Sequence, residues 1–282
     1  MGAVHEVARR ADAATKKTAS SPALEFLERL GYVVRGVLYV VMGTLALGLA
    51  VGAGGSATDP SGSLRILTIL PGGRAMLIVA VIGLAAYSIW GFVRAIFDPL
   101  HRGDDPKGIA DRLGFVWSGT AYASIALFGL HLFVGKTGAS HDSTQESIGR
   151  ILATPIGQPL AIAIGIVAIG VGLGQFVDAY RAVFTKDMKR LRMKKAEKVI
   201  VDTLGRLGLV SRGVTFTLVG WFVLQGGWNR DASKVHGYGG AFLALLSAPF
   251  GRVLLALVAA GFIALGLHSF ACARWIRLLS TQ

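Results

Sequence analysis

The chain has 282 residues, of which 53% are hydrophobic and only 16% charged, with 38 glycines and a positive mean hydropathy. Soluble domains carry about 25% charged residues, so a water-soluble enzyme is excluded; glycine enrichment fits membrane helices. The single cysteine, Cys272, excludes an intramolecular disulfide and any multi-cysteine metal site. The net charge of +13 would suit nucleic acid, but its distribution along the chain points to a membrane instead.

Residues 1–28 are polar and rich in Ala, Lys and Arg, and the first apolar run begins near Gly31. That run lies too far in, and is too long, for a signal-peptide core, so we expect no cleaved leader and a first helix that acts as its own insertion signal. A span needs about 20 apolar residues. Six segments qualify in chain order: 31–52, 75–97, 113–134, 159–177, 207–225 and 253–273. Helices are expected throughout, because lipid offers backbone groups no outside hydrogen-bond partner.

The Lys and Arg residues of the connections set the orientation. Nineteen lie in the N-terminus, the 98–112 and 178–206 loops and the C-terminus. Seven lie in 53–74, 135–158 and 226–252, and the remaining three (Arg35, Arg94, Arg212) lie inside spans. Both termini are therefore expected in the cytoplasm. The basic stretch from Lys186 to Lys195 follows the fourth span. It suits the anionic cytoplasmic leaflet, where each cation contributes about 1 kcal/mol.

An internal repeat organises the whole chain. Arg-Leu-Gly recurs at 29–31, 112–114 and 206–208. Five residues beyond each glycine stands another (Gly36, Gly119, Gly213), and three beyond that an aromatic (Tyr39, Tyr122, Phe216). The residue before the second glycine is Arg35, Ser118 or Arg212. Each second helix opens with a Pro-x-Gly (Pro71–Gly73, Pro155–Gly157, Pro249–Gly251), and nineteen residues later comes Phe92, Phe176 or Phe270. Short apolar stretches before each proline (64–70, 148–153, 241–248) read as helices lying in the outer interface. The chain thus divides into a polar tail (1–24) and three copies of a two-helix unit (25–105, 106–190, 191–282).

Every copy starts and ends on the cytoplasmic side, so the copies are parallel. The fold class expected is an all-α integral membrane protein with six spans as three parallel two-helix repeats in a pseudo-threefold ring. The glycines Gly31, Gly36, Gly114, Gly119, Gly208 and Gly213 are expected to let backbones approach closely, which drives helix association in lipid.

The pattern resembles the bacterial membrane family catalogued as domain of unknown function 1206, whose members carry three copies of a two-helix transmembrane unit. The resemblance covers residues 25–280 and rests on the R-L-G…R-G-x-x-aromatic signature. It implies a fold and no chemistry. The second copy departs from the signature, with Ser118 in place of arginine.

Ionisable groups within a membrane are functional candidates, because burying a charge there is costly. Arg35 and Arg212 sit one to two turns inside the cytoplasmic edge. Helical side chains tilt toward the N-terminus, so both arginines are expected to snorkel to the headgroups. The sharper reading has them face the pseudo-threefold axis, with Ser118 as the third equivalent position, as a site for a lipid phosphate or small anion. Arg94 and Asp178 occupy equivalent positions in copies one and two and suggest an inter-repeat ion pair. His131 and His268 differ in depth, so a haem between them is not expected. Tyr39, Tyr87, Tyr122, Trp90, Trp117 and Trp275 read as interfacial aromatics.

No nucleotide-binding, metalloprotease or serine-hydrolase motif occurs. A non-enzymatic membrane module without metal or cofactor is expected, its partners anionic lipids or another membrane protein and not nucleic acid. The alternative is a small transporter or channel about the axis. The composition suggests a bacterium of GC-rich genome and hence its cytoplasmic membrane.

Overall fold

The structure is a computed structural model, which describes residues 22–98, 103, 105–135, 143–188 and 190–275. The polar tail up to residue 21 and the last seven residues lie outside these. Nine α-helices run through the described residues. They are α1 (Pro22–Val51), α2 (Pro60–Thr68), α3 (Gly73–Phe97), α4 (Pro106–Phe133), α5 (Ser143–Leu152), α6 (Gly157–Arg181), α7 (Lys195–Asn229), α8 (Tyr238–Ser247) and α9 (Gly251–Trp275). Six are long and apolar enough to cross a membrane: α1, α3, α4, α6, α7 and α9. The short α2, α5 and α8 precede the second long helix of each copy.

Four helices outrun the expected spans, α1 and α4 by starting at Pro22 and Pro106. α6 continues to Arg181, and α7 begins at Lys195, a dozen residues before its apolar run. The extension starts with a capping box, in which the Lys194 backbone N–H donates to Glu197 (2.8 Å). It is fastened from the preceding basic segment, where Arg190 donates to both oxygens of Asp202 (2.7 and 2.9 Å). Part of the 186–195 charge is therefore used inside the protein.

The three copies associate through the same contact. Each second glycine of the signature lies against the second long helix of another copy. A methyl group added at Gly36 would sit 2.9 Å from the Gly266 carbonyl oxygen, and at Gly213 3.0 Å from that of Gly172. At Gly119 it would sit 3.2 Å from that of Ser88. Phe270, Phe176 and Phe92, the phenylalanines nineteen residues past each Pro-x-Gly, close the same three contacts. The seams continue at seven-residue intervals, Gly43 onto Ala259 and Gly220 onto Gly165. Packing of small residues drives helix association where lipid is as apolar as leucine. The signature arginine adds to the same joint. Arg112 donates to the Ala95 and Ile96 carbonyls (2.7 and 3.3 Å) and Arg29 to those of Ala273 and Arg274, the free carbonyls at the ends of α3 and α9.

Within a copy the three differ. In copy one, Gly83 of α3 receives Val34 of α1; in copy three, Gly261 of α9 receives Ser211 of α7. The first signature glycine completes each joint, Gly31 against Tyr87 and Gly208 against Leu265. In copy two the position of Gly83 and Gly261 holds Val167, and that of Val34 and Ser211 holds Trp117. Val34 and Ser211 are 6% and 5% exposed, but Trp117 is 48% and Val167 53% exposed. Nothing lies within 4 Å of a methyl added at Gly114. α4 packs on α3, and α6 packs on α7, but α4 and α6 form no packed pair. The outer helix follows suit: α2 bridges α1, α3 and α4, whereas α5 packs on α6 and the turn at Ala232–Lys234. The two halves of copy two thus stand apart along a seam, because bulky residues replace the glycine joint. Equivalent packing of all six signature glycines does not hold, Gly114 being the exception.

Gly208→Val should lower stability by about 1–3 kcal/mol, since its new side chain meets the Leu265 backbone, whereas Gly114→Val should cost nothing measurable. Thermal unfolding in detergent, followed by loss of monodisperse protein, checks the pair; equal losses would contradict the seam.

Candidate functional site

The site forms where α1, α3, α4 and α7 bring their signature positions together. Arg35 does not snorkel outward. Its guanidinium stands over the rings of Tyr39, Tyr87 and Tyr122 at 5.4, 5.7 and 5.8 Å, and Nη1 donates to the Tyr87 hydroxyl at 2.8 Å. The Tyr39 and Tyr122 hydroxyls are hydrogen-bonded at 3.0 Å. Tyr32 and Tyr122 each pack edge-on to Tyr87, at 5.2 and 4.8 Å. These tyrosines and Trp90 are buried, so their reading as interfacial aromatics is corrected. Depth alone suggested an interface, but the charge draws ring faces inward, each worth about 2 kcal/mol or more once desolvated. Tyr39 and Tyr122 are the signature aromatics of copies one and two.

Arg212 repeats the arrangement from copy three, over Phe216 at 5.2 Å. It too is turned in rather than toward the headgroups. Tyr238, the first residue of α8, covers Phe216 at 5.8 Å and Phe262 at 6.0 Å. The two arginines are close enough for their like charges to interact, and both act on the hydroxyls of Tyr39 and Tyr122. The groups acting most strongly on Arg35 are Tyr122, Tyr87, Tyr39 and Tyr32, and Arg212 feels Tyr39, Tyr122, Tyr238 and the like charge of Arg35. The Nε atoms of Arg35 and Arg212 are buried without a hydrogen-bond partner, as is Oε1 of Gln175 on α6. An unpaired buried donor costs about 1–3 kcal/mol, more for a charged group. An oxyanion would satisfy both guanidinium groups at once. Ser118, the third equivalent position, is half-buried on α4 and beside Trp117.

The other candidates lie elsewhere. Arg94 is buried against Trp90 and Phe115 at 5.3 and 5.6 Å, at the α3–α4 joint. Asp178 is half-buried in the last turn of α6. His131 is exposed at the end of α4. His268 is buried, its Nδ1 3.2 Å from the Val201 carbonyl and its Nε2 3.4 Å from Cys272 Sγ, with Phe184 edge-on at 4.9 Å. Tyr87 and Tyr238 belong to no part of the repeated signature; Tyr87 reads only as an interfacial aromatic, and Tyr238 was missed, its one sequence signal being a phenol beside an apolar segment.

Tyr87→Phe removes a neutral acceptor of Arg35 (2.8 Å) and should destabilise by about 1–3 kcal/mol. The double variant Arg35→Met/Tyr87→Phe should lose less than the two single changes summed; a thermal-denaturation cycle showing additivity would remove the coupling.

The family model described as Domain of Unknown Function (DUF1206) matches three stretches, residues 30–98, 113–182 and 207–275. A Bacillus subtilis (strain 168) protein named "Uncharacterized protein YxxB" is 32% identical over 253 residues, 90% of this chain and 91% of the relative. No solved structure matches. The three matched stretches coincide with the three copies, each a pair of long helices, that pack on one another at Gly36, Gly119 and Gly213, and the chain belongs to the DUF1206 family.

Proposed function

We propose that this protein is a non-enzymatic membrane module that holds an anionic headgroup, of the phosphate type, between Arg35 and Arg212. The observation that carries this reading is the pair of half-buried arginines, set over aromatic rings, whose buried Nε donors have no hydrogen-bond partner among the described residues. A charge in hydrocarbon costs several kcal/mol, and two without a counter-ion cost more. The tyrosine cage offsets part of this. A bound anion offsets the rest, with Ser118 as a third, neutral donor.

The three glycine joints support a pseudo-threefold ring of the copies around this centre, with α4 and α6 as its loosest neighbours. In a bacterial cytoplasmic membrane with both termini inside, Arg35 lies about 9 Å along the helix from Arg29 at the inner edge, within reach of a phosphate drawn inward. Basic residues of the 178–206 segment such as Arg181, Arg192 and Lys195 are exposed, and on the cytoplasmic side they favour anionic lipid. The aromatic side chains Tyr39, Phe242 and Phe262 are buried above the arginines, which supports binding over conduction through a pore. Partners of this kind are lipids and, through the exposed α4 and α6 faces, another membrane protein.

Native mass spectrometry of the protein extracted with phosphatidylglycerol should retain one lipid or phosphate adduct after the detergent is stripped. Arg35→Ala/Arg212→Ala should lose it, and Ser118→Glu, which supplies an internal carboxylate, should lose it while raising the unfolding temperature. Retention in both variants would overturn the arginine site.

A further inference from the structure

The seam in copy two and the two caged arginines stand at equivalent levels of the repeat. Trp117, which replaces the buried Val34 and Ser211 of the other copies, is the neighbour in sequence of Ser118, the repeat equivalent of Arg35 and Arg212. Val167 stands opposite at the position of Gly83 and Gly261. The seam wall is apolar there (Leu113, Trp117, Val167, Val171), and Leu113, Trp117 and Val167 are exposed. Just inside it Tyr122 of α4, 6% exposed, touches the Arg35 guanidinium. The unpacked, apolar faces of α4 and α6 thus adjoin the helix whose Tyr122 touches the cationic centre.

A free inorganic anion matches only the second half of this arrangement, since an apolar wall gives it no stabilisation. A second copy of the chain would cover the wall and leave the arginines without a counter-ion. A phospholipid with one net negative charge matches both halves: its phosphate neutralises the guanidinium pair, and its acyl chain replaces the helix contact that Val167 and Trp117 prevent. The joint sealed by glycine in copies one and three is open only where the arginine is also missing, which leaves room beside Ser118 for the headgroup.

We propose that the α4–α6 seam is a lateral portal through which an anionic phospholipid enters from the bilayer, its phosphate held by Arg35 and Arg212 and its acyl chain lying along Trp117 and Val167. This rests on the headgroup reading above and adds to it the source of the anion and its route.

The test uses the full chain in phosphatidylcholine nanodiscs containing a minor fraction of a lipid with a photoactivatable diazirine in its acyl chain. The probe carries either a phosphatidylglycerol or a phosphatidylcholine headgroup. After irradiation, peptide mapping compares the two probes position by position, so that ordinary lipid-facing labelling cancels. The phosphatidylglycerol probe should exceed the other about tenfold at 113–117 and 167–171, the effect of one charge-assisted hydrogen bond, and should match it at Ile82, Ile89 and Leu257. Trp117→Ser/Val167→Gly, which gives copy two the Ser–Gly joint of copy three, should abolish the excess; the single Val167→Gly should reduce it, and both must remain monodisperse. A ratio near one at the seam, while a phosphatidylglycerol or inorganic phosphate adduct persists in native mass spectra and depends on the arginines, would overturn the portal and leave the headgroup site. Protein–protein crosslinks across the seam in place of lipid labelling would overturn it in favour of a second copy. Absence of any arginine-dependent adduct would remove the headgroup site and the portal together.

Discussion

In hydrocarbon a helix gains nothing by hiding leucine from lipid, so the architecture depends on how closely two backbones can approach. Glycine sets that distance. At Gly36, Gly119 and Gly213 the missing side chain lets a helix rest on the carbonyl edge of a helix from another copy, with a phenylalanine ring closing the contact. The arginine of the same signature then reaches the exposed carbonyls at the end of that neighbouring helix, as Arg29 and Arg112 do. One short motif therefore makes both a steric and an electrostatic joint. Its repetition brings signature residues of all three copies to one centre.

The same constraint explains where the packing fails. Replacing the glycine of a hairpin joint with Val167, and its small partner with Trp117, keeps α4 and α6 apart, while Gly83 and Gly261 hold their hairpins closed. The copy that lacks the joint also lacks the arginine. Loss of symmetry in packing and in charge thus coincide in copy two. The central arginines are unusual for the opposite reason: aromatic faces surround them, while their buried Nε donors meet no hydrogen-bond acceptor among the described residues. Ring quadrupoles stabilise a cation without neutralising it, and the Nε atoms of Arg35 and Arg212 have no hydrogen-bond partner among the described residues.

Spans, repeat and family were legible in the sequence because they rest on local signals: hydropathy over about 20 residues, the R-L-G spacing, and Pro-x-Gly at each second helix. The equivalence of Arg35 and Arg212 within their copies was legible too, from the repeat. Their direction was not. Tilt of the side chain toward the N-terminus allows an arginine to reach the headgroups, but Tyr87 and Tyr122 decide otherwise, and both come from other helices. Tyr87 carries no repeat signature, since its counterparts are Val171 and Leu265. The open seam was present in the sequence as Val167 facing Trp117. It became readable only once Gly83 and Gly261 were seen to receive Val34 and Ser211. The start of α7 at Lys195 was missed because its first turns are polar and owe their helicity to a cap and an ion pair.

The most direct test of the central claim, that the two arginines await an anion, is an electron cryo-microscopy map of the protein in phosphatidylglycerol nanodiscs. Density bridging the guanidinium groups of Arg35 and Arg212, continuing as a tail between α4 and α6, is the expected result. A map in which Arg35 and Arg212 each contact a carboxylate or turn outward to the headgroups, with no density between them, would contradict it.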